Sequence, residues 1–319
     1  MAGEPGVSIC IPTYNGARWI TEAVESALRQ TWSDFELLVV DDGSTDGTLD
    51  LLARVTDLRL RIERGGSNVG PVANWNRCAR LARGEFVKFL FQDDLLYPTC
   101  LERMVQALRL HPTAGLVFSR REILLQEPDD PRSRAWKEQY GTLHTQFERI
   151  ETFNRGGDLF EQYRRKGFRM NFVGEPTAVM VRRSCFDRVG LFNTRMHQGA
   201  DFELWSRLFF FYDAVFLDEP LVAFRVHAAS TSRENDRTNR PWLDMLWLLE
   251  GLLQHPEIRQ RHPELGRLRW LEAARIARAE VGRLRRGRPS SPAFLARSLG
   301  AYCAYRVRSL RGRAPGLHG

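Results

Sequence analysis

The strongest constraint on the fold is an alternation that runs through the first 120 residues. Apolar, branch-rich runs at 7–11 (VSICI), 35–40 (FELLVV), 58–63 (LRLRIE), 85–91 (EFVKFLF) and 114–119 (AGLVFS) read as strands. Between them lie segments of helical spacing. Residues 17–29 carry apolar positions 19, 20, 23, 24, 27 and 28. LDLLARV follows Ser44, Thr45 and Asp46, three candidate N-caps; residues 68–82 read as loop then helix; and PTCLERMVQALRLHP is a helix closed by Pro112. Strands and helices joined by short connections predict an α/β fold with a parallel, right-handed sheet, and such a sheet binds ligands beyond the carboxyl ends of its strands.

Three polar segments fall at that edge. They are Pro12-Thr13-Tyr14-Asn15-Gly16 after the first strand, Asp41-Asp42-Gly43-Ser44 after the second, and Asp93-Asp94 in FVKFLFQDDLLYP after the fourth. Two adjacent aspartates repel at short range, so solvent, a helix N-terminus or a cation must offset them. A hard divalent cation takes oxygen ligands and keeps waters or phosphate oxygens for the rest of its shell. Asp42 fits a turn or cap equally with a carboxylate that meets a base or a ribose hydroxyl. Tyr14 fits turn packing, or a ring on which a base stacks.

Beyond residue 120 the pattern changes. EPDDPRSRAW (127–136) reads as a polar surface segment and 156–166 as helical. VGEPTAVMVRRSCFDRVGLFN carries a strand at 178–181 and then a short helix. GADFELWSRLFFFY (199–212) is a helix with Asp201 and Glu203 in its first turn, where an acid suits the macrodipole. AVFLDEPLVAFRVH (214–227) reads as two short strands around Glu219-Pro220. From Pro241 onward the chain is helical and arginine-rich.

Charge sets this last part off. The net charge is +8, and residues 241–319 hold 15 arginines against 6 acids, which is +9, so residues 1–240 sum to about −1. Hydrophobic residues make up 43%, enough for a packed core. The five cysteines (Cys10, Cys78, Cys100, Cys185, Cys303) form no C-x-x-C pair, which predicts reduced thiols and a cytoplasmic setting. The start MAGEPGVSICIPTYN is expected to be no secretory leader, and no run of about 18 uncharged apolar residues predicts a spanning helix. The turn after the first strand lacks G-x-G-x-x-G, which argues against a nicotinamide dehydrogenase, and it lacks the glycine- and basic-rich loop of a nucleotidyltransferase.

The stretches VSICIPTYNGARWITEAVESALRQTWSDFELLVVDDGSTDGT and NVGPVANWNRCARLARGEFVKFLFQDDLLYP resemble the N-terminal half of a family 2 glycosyltransferase with the GT-A fold. A weaker likeness continues to about residue 232 through GEPTAVMVRR, GLFN, GADFELWSR and FRVHAASTS. The resemblance implies a Rossmann-like, mostly parallel sheet flanked by helices, here with a helical basic C-terminal extension. It divides the chain into a nucleotide-sugar-binding half (1–120), an acceptor and catalytic-base half (121–240) and the extension (241–319). It implies an inverting sugar transferase, a hexosyl- or deoxyhexosyltransferase. The donor would be a nucleoside-diphosphate sugar, UDP- or dTDP-linked, and the acceptor a glycan or lipid-linked glycan of cell-surface polysaccharide assembly.

Pro12, Thr13, Tyr14 and Asn15 would line the nucleoside and Asp42 would contact the base. Asp94 would ligate Mn²⁺ or Mg²⁺, with Asp93 on the ribose or assisting the metal. The family commonly reads D-x-D-D where this chain has Phe91-Gln92-Asp93-Asp94. Asp201, in a pattern whose preceding Glu is here Ala200, would be the base. Arg225 would pair with phosphate oxygens, and His227 would touch the metal or the diphosphate. Glu175, Glu203 and Trp205 would lie on the acceptor side. A transferase-like module without catalysis is the alternative, supported by Phe91 and Ala200.

In the extension, Leu268, Leu271, Val281 and Leu284 fall on one side of a helix. Leu295, Leu299, Tyr302, Cys303 and Leu310 form another apolar face among arginines. Such helices fit an anionic membrane surface, which would make the enzyme peripheral on the inner membrane face, or else they pack on the domain with a solvated face. No nucleic-acid partner is expected, because aromatics do not interleave with the charge.

Overall fold

The computed structural model describes residues 4–228, 230, 243–285, 300 and 302–309. Its frame is one nine-stranded sheet: β1 Val7–Thr13, β2 Phe35–Asp41, β3 Leu60–Arg64, β4 Phe86–Phe89, β5 Leu95–Leu96, β6 Ala114–Leu125, β7 Phe153–Asn154, β8 Val179–Arg182 and β9 Asp213–Val226. Across the sheet the order is β3-β2-β1-β4-β8-β6-β9-β5, with β7 on β9. The four N-terminal strands β3, β2, β1 and β4 pair in parallel, as the alternation predicts, and so do β6 and β9. Strand β8 enters antiparallel between β4 and β6. That reversal brings the start of β8 to the edge where β4 ends.

Side chains alternate across the sheet and feed two apolar layers. One face holds Val7, Ile9 and Ile11 of β1 with Leu37 and Val39 of β2. It packs on α1 (Ile20–Leu28) and α4 (Cys100–Leu110). In α1, Ile20, Ala23, Val24 and Ala27 are buried, which is the i, i+3, i+4, i+7 set read from the sequence. The other face holds Cys10, Leu38, Val40, Val87 and Phe89. It is covered by α3 (Pro71–Leu81), α6 (Gly156–Arg165), α7 (Cys185–Val189) and α8 (Ala200–Phe211). The short α2 (Thr48–Leu52) completes the N-terminal half.

Two expectations need correction. Residues 127–136 are not only a surface segment: Pro131–Tyr140 form α5. Asp130 caps it by accepting hydrogen bonds from the amides of Arg132 (3.2 Å) and Ser133 (3.1 Å), and Pro131 takes the first helical position, where no amide is missed. Residues 213–226 are one strand, not two. Its register against β6 slips around Arg120, the residue opposite Pro220, so an irregularity absorbs the proline that lacks a ladder donor.

The C-terminal extension is docked on the domain. Helix α9 (Asp244–Gln254) buries Leu246, Leu248, Leu249 and Leu252, and α10 (Pro256–Arg261) buries Ile258. Helix α11 spans Glu264–Arg285, and residues 302–309 are helical (α12). Glu250 on α9 binds these helices together: it is buried, accepts from Tyr302 at 2.9 Å, and pairs with Arg269 at 3.5 Å and Arg306 at 3.2 Å. Leu284, Leu295, Leu299 and Leu310 of the expected apolar faces lie outside what is described. Trp247 packs edge-on against Tyr302 and Tyr305, with Arg195 over its ring. Trp247→Ala is expected to cost about 3–5 kcal/mol, read as a lowered denaturant midpoint; an unchanged midpoint would show that the extension does not stabilise the domain.

Candidate active site

The site forms at the carboxyl edge, where β1, β2 and β4 end and β9 arrives from the far half of the sequence. Its centre is Asp94, 1% exposed, in the segment between β4 and β5. One carboxylate oxygen accepts from the Thr177 hydroxyl (2.7 Å) and the other from the Arg225 amide (2.9 Å). Burial, then the charges of Asp93 and Glu175, hold this carboxyl well above the usual aspartate range. Asp93, by contrast, is only partly buried and turns its Oδ2 to His227 Nε2 at 2.8 Å. The two come from positions 134 apart.

Asp94 is the expected principal metal ligand. Both of its oxygens accept hydrogen bonds inside the protein, from partners that fasten the segment after β4 to β9 and to the 3-10 turn Pro176–Ala178, and each oxygen keeps a further lone pair. Asp93 and His227 are the pair with an oxygen and a nitrogen at one point. Among the described residues no group of three or more His, Cys, Asp or Glu is placed to hold a metal ion. An Asp–His pair nevertheless fits a Mn²⁺ or Mg²⁺ ion whose remaining shell is water and phosphate oxygen.

Around this pair the N-terminal turn is tightly held. Gln92 Oε1 accepts from the Thr13 hydroxyl (2.6 Å) and the Tyr14 amide (2.9 Å), so the residue before Asp93 clamps the turn after β1. Asn15, at φ +48°, receives the Thr45 amide on its Oδ1 (2.8 Å) while its own amide donates to Ser44 Oγ (2.8 Å). Pro12 and Thr13 are buried, and Tyr14 is 43% exposed, a ring open to stacking. Asp42 differs from expectation: it is buried and accepts from the amides of Val69 (3.0 Å) and Gly70 (3.0 Å), pinning the loop before α3 instead of presenting its oxygens. Arg225 is likewise committed. Its guanidinium donates to the Asp93 carbonyl (2.7 Å) and to Glu22 (2.7 Å), and lies 4.3 Å over the Trp19 ring.

The second carboxylate centre lies at the start of α8. Asp201 Oδ2 accepts from Asn171 Nδ2 (3.0 Å) and Oδ1 from the Phe202 amide (2.8 Å). Burial raises its pKa to about 7; the Phe202 bond opposes the shift, and the charge of Glu175 adds to it. Glu175 therefore stands between the two centres, since its charge also lifts Asp94. It is itself partly buried, and desolvation pushes its carboxyl up while Arg121 pulls it down. Arg121 Nε sits 3.1 Å from Glu175 Oε1, but the N–H does not point at the oxygen, so this is an ion pair without a hydrogen bond. Glu175 thus faces Arg121 beneath the cleft, not an acceptor directly.

Glu203 and Trp205 are further corrections. Both are fully buried. Glu203 makes a two-armed ion pair with Arg207 at 2.7–2.8 Å, and Arg207 also caps the carbonyls of Val189, Gly190 and Leu191. Trp205 Nε1 donates to the Gly174 carbonyl (3.0 Å), which Asn171 also uses (2.8 Å). Gly174 sits at φ +114°, where a side chain is strained, so the turn that presents Asn171 to Asp201 requires glycine.

Several contributors were missed. Thr177, Asn171 and Gln92 carry no signature of their own. Lys88 does: it is one of only three lysines and stands in mid-strand. Its ammonium is fully buried and donates to the carbonyls of Thr177 and Val179, with its pKa lowered by that burial. It fixes the turn that carries Glu175 and Thr177 and supplies positive charge beneath Asp94 and Glu175.

The family follows from likeness to known proteins. The sequence profile described as Glycosyl transferase family 2 matches residues 8–190, more than half of the chain. The chain belongs to glycosyl transferase family 2. An uncharacterised protein of Mycobacterium tuberculosis is 33% identical over 253 residues, covering 79% of this chain and 77% of that one. An uncharacterised glycosyltransferase of Rickettsia prowazekii is 27% identical, covering 72% and 66%. The chondroitin synthase of Escherichia coli is 37% identical over 118 residues, 36% of this chain and 17% of that one. Among solved structures, S. aureus TarS 1–349 in complex with UDP-GlcNAc superposes with a TM-score of 0.59 at 20% identity, covering 78% of this chain and 67% of that one. The mannosyltransferase PcManGT from Pyrobaculum calidifontis, in complex with GDP-Man and Mn²⁺, gives 0.54 at 19%, covering 95% and 81%. The fold is GT-A, and this family 2 member is a glycosyltransferase. No helix among the described residues is long and apolar enough to cross a membrane.

The raised pKa of Asp201 has a measurable sign. Its folded value near 7 exceeds the unfolded value of about 3.9, so the folded state binds this proton more tightly. The contribution, on the order of 4 kcal/mol, is fully present below about pH 4 and is lost as pH rises through 7. Thermal melts of the wild type and Asp201→Asn from pH 5 to 9 should show the difference moving in the variant's favour as pH rises. A pH-independent difference would contradict the shift.

Proposed function

We propose that this glycosyltransferase moves a sugar from a nucleoside-diphosphate sugar to an acceptor hydroxyl by a single displacement with inversion. The observation that carries the proposal is the arrangement of a polar Asp93–His227 pair beside the clamped Thr13–Tyr14 turn, with a second, partly buried carboxylate at Asp201. We assign residues 1–120 mainly to the donor and 121–240 mainly to the acceptor and the base. Tyr14 stacks on the base of the donor. Asp93 and His227 hold a divalent cation, which when bound neutralises the departing diphosphate.

Asp201 takes the proton from the acceptor hydroxyl as its oxygen attacks the anomeric carbon. The bond from that carbon to the diphosphate oxygen breaks on the opposite face. A pKa near 7 suits this role, because half of the carboxyl is ionised at neutral pH and its basicity exceeds that of a solvated aspartate. Asn171 orients the carboxylate. The complexes of TarS with UDP-GlcNAc and of PcManGT with GDP-Man and Mn²⁺ support a nucleotide-sugar donor and a metal. We take UDP- or dTDP-sugars as the first donors to test, and a glycan or lipid-linked glycan of surface polysaccharide assembly as the acceptor class.

With Mn²⁺ and a panel of nucleotide sugars, turnover should rise between pH 6 and 8 with an apparent pKa near 7. Asp201→Asn should lower kcat by about 10²–10⁴ while donor binding persists. Binding with no turnover at any pH, unchanged in Asp201→Asn, would instead mark a module that has lost catalysis.

The assignment of Asp93 over Asp94 separates by substitution. Asp93→Asn and His227→Gln should each abolish the Mn²⁺ dependence of nucleotide binding, read by calorimetry, with little change in melting temperature. Asp94→Asn should mainly lower the melting temperature. Mn²⁺-dependent binding that survives Asp93→Asn and fails in a fully folded Asp94→Asn would reverse the assignment.

A further inference from the structure

Helix α11 has two unlike sides. Leu265, Glu272 and Ile276 are buried, and Leu268 and Ala273 pack on the core from the same side. At 100° per residue, Arg267, Trp270, Leu271, Ala274, Arg278, Val281 and Arg285 share the opposite side. There Trp270 is 68% exposed, Leu271 57% and Val281 47%. These are three of the nine large apolar side chains that stand exposed among the described residues, gathered on one helix. The stripe runs from Arg267 to Arg285, about 27 Å at 1.5 Å per residue.

Its charge is of one sign. Arg267, Arg278 and Arg285 meet no carboxylate among the described residues, whereas Arg275, at the flank, pairs with the buried Glu272. From Arg267 onward the described side chains of this side include no acid. The domain itself is near neutral, so the positive field belongs to the extension. Exposed Trp, Leu and Val set among unpaired arginines on a helix that lies flat on its domain are the composition of an interfacial helix: apolar groups enter the headgroup layer while guanidinium groups meet phosphates. A protein partner would bring carboxylates to discrete points. This stripe instead spaces its arginines along its whole length with apolar residues between them, which matches a continuous anionic surface.

We infer that the outward side of α11 is the surface by which this enzyme lies on an anionic lipid bilayer, with Trp270 and Leu271 in the headgroup layer and Arg267, Arg278 and Arg285 on lipid phosphates. Contact along α11 keeps the catalytic domain beside the membrane without crossing it, the position from which a lipid-linked acceptor is reached.

The full-length protein is to be sedimented with vesicles of phosphatidylcholine alone and of phosphatidylcholine with phosphatidylglycerol. Binding is expected to the anionic vesicles and not to the neutral ones. Arg267→Gln/Arg278→Gln/Arg285→Gln should lower the partition coefficient roughly 100-fold, taking about 1 kcal/mol per arginine near the surface. Trp270→Ser/Leu271→Ser should lower it at least about 10-fold. Both variants alter exposed groups and should keep the wild-type melting curve. Equal partition to neutral vesicles, or variants that bind as the wild type does, overturns the inference. So does a dimer in light scattering that dissociates in the Trp270 variant, or an oligonucleotide bound more tightly than the anionic vesicles through the same arginines. Lipid binding is read without any sugar transfer, so its failure is distinct from failure of the proposed reaction.

Discussion

Asp94 fastens the two halves of this chain. It lies after β4 and directly before β5, and its two oxygens take a hydroxyl from the turn before β8 and an amide from β9. Buried carboxylates are costly unless hydrogen-bonded, so this one is retained for what it connects. Once Asp94 is tied back, its neighbour Asp93 is left pointing outward at His227, and the Thr177 turn is fixed with Glu175 on it. The site has its shape because one acid of a pair is spent on structure.

The same economy recurs around the cleft. Asp42 staples a loop, Glu203 neutralises a buried arginine, and Arg225 is shared among Glu22, Trp19 and a carbonyl. Each looks like a ligand-binding group in sequence and each has a protein partner in the fold. Burial raises the carboxyls of Asp94, Glu175 and Asp201, and the charge of Glu175 adds to the shift at Asp94 and Asp201; Arg121 and Lys88 oppose it at Glu175, and Arg121 at Asp201. A carboxyl near neutrality at Asp201 follows from that balance.

The likeness to TarS and PcManGT at about one fifth identity concerns the fold alone. The family profile ends at residue 190, whereas the candidate base, His227 and the basic helices lie beyond it. The turn after β1, Asp93 and Asp94 lie within the matched region, whereas Asp201, Arg225 and His227 lie beyond it.

The sequence by itself determined the strand–helix alternation, the edge on which the polar turns gather, and the residues that meet there. These are local matters: periodicity sets which face of α1 is buried, and strand direction sets where Thr13, Asp41 and Asp93 emerge. It also determined the basic extension, since charge is additive along a chain. Only the tertiary structure decided which acids are free. Asp93 and Asp94 are indistinguishable as neighbours in FQDD, and their partners differ because Arg225 in β9 and His227 just after it, over 130 positions away, offer an amide to Asp94 and an imidazole to Asp93. Likewise Glu203 and Trp205 read as cleft residues until helix packing turned them inward, and the Asp201 carboxyl reaches a pKa near 7 only through burial, to which Glu175 adds. Long-range contacts set solvation and partners, and those two quantities, not residue type, decide what a carboxylate can do.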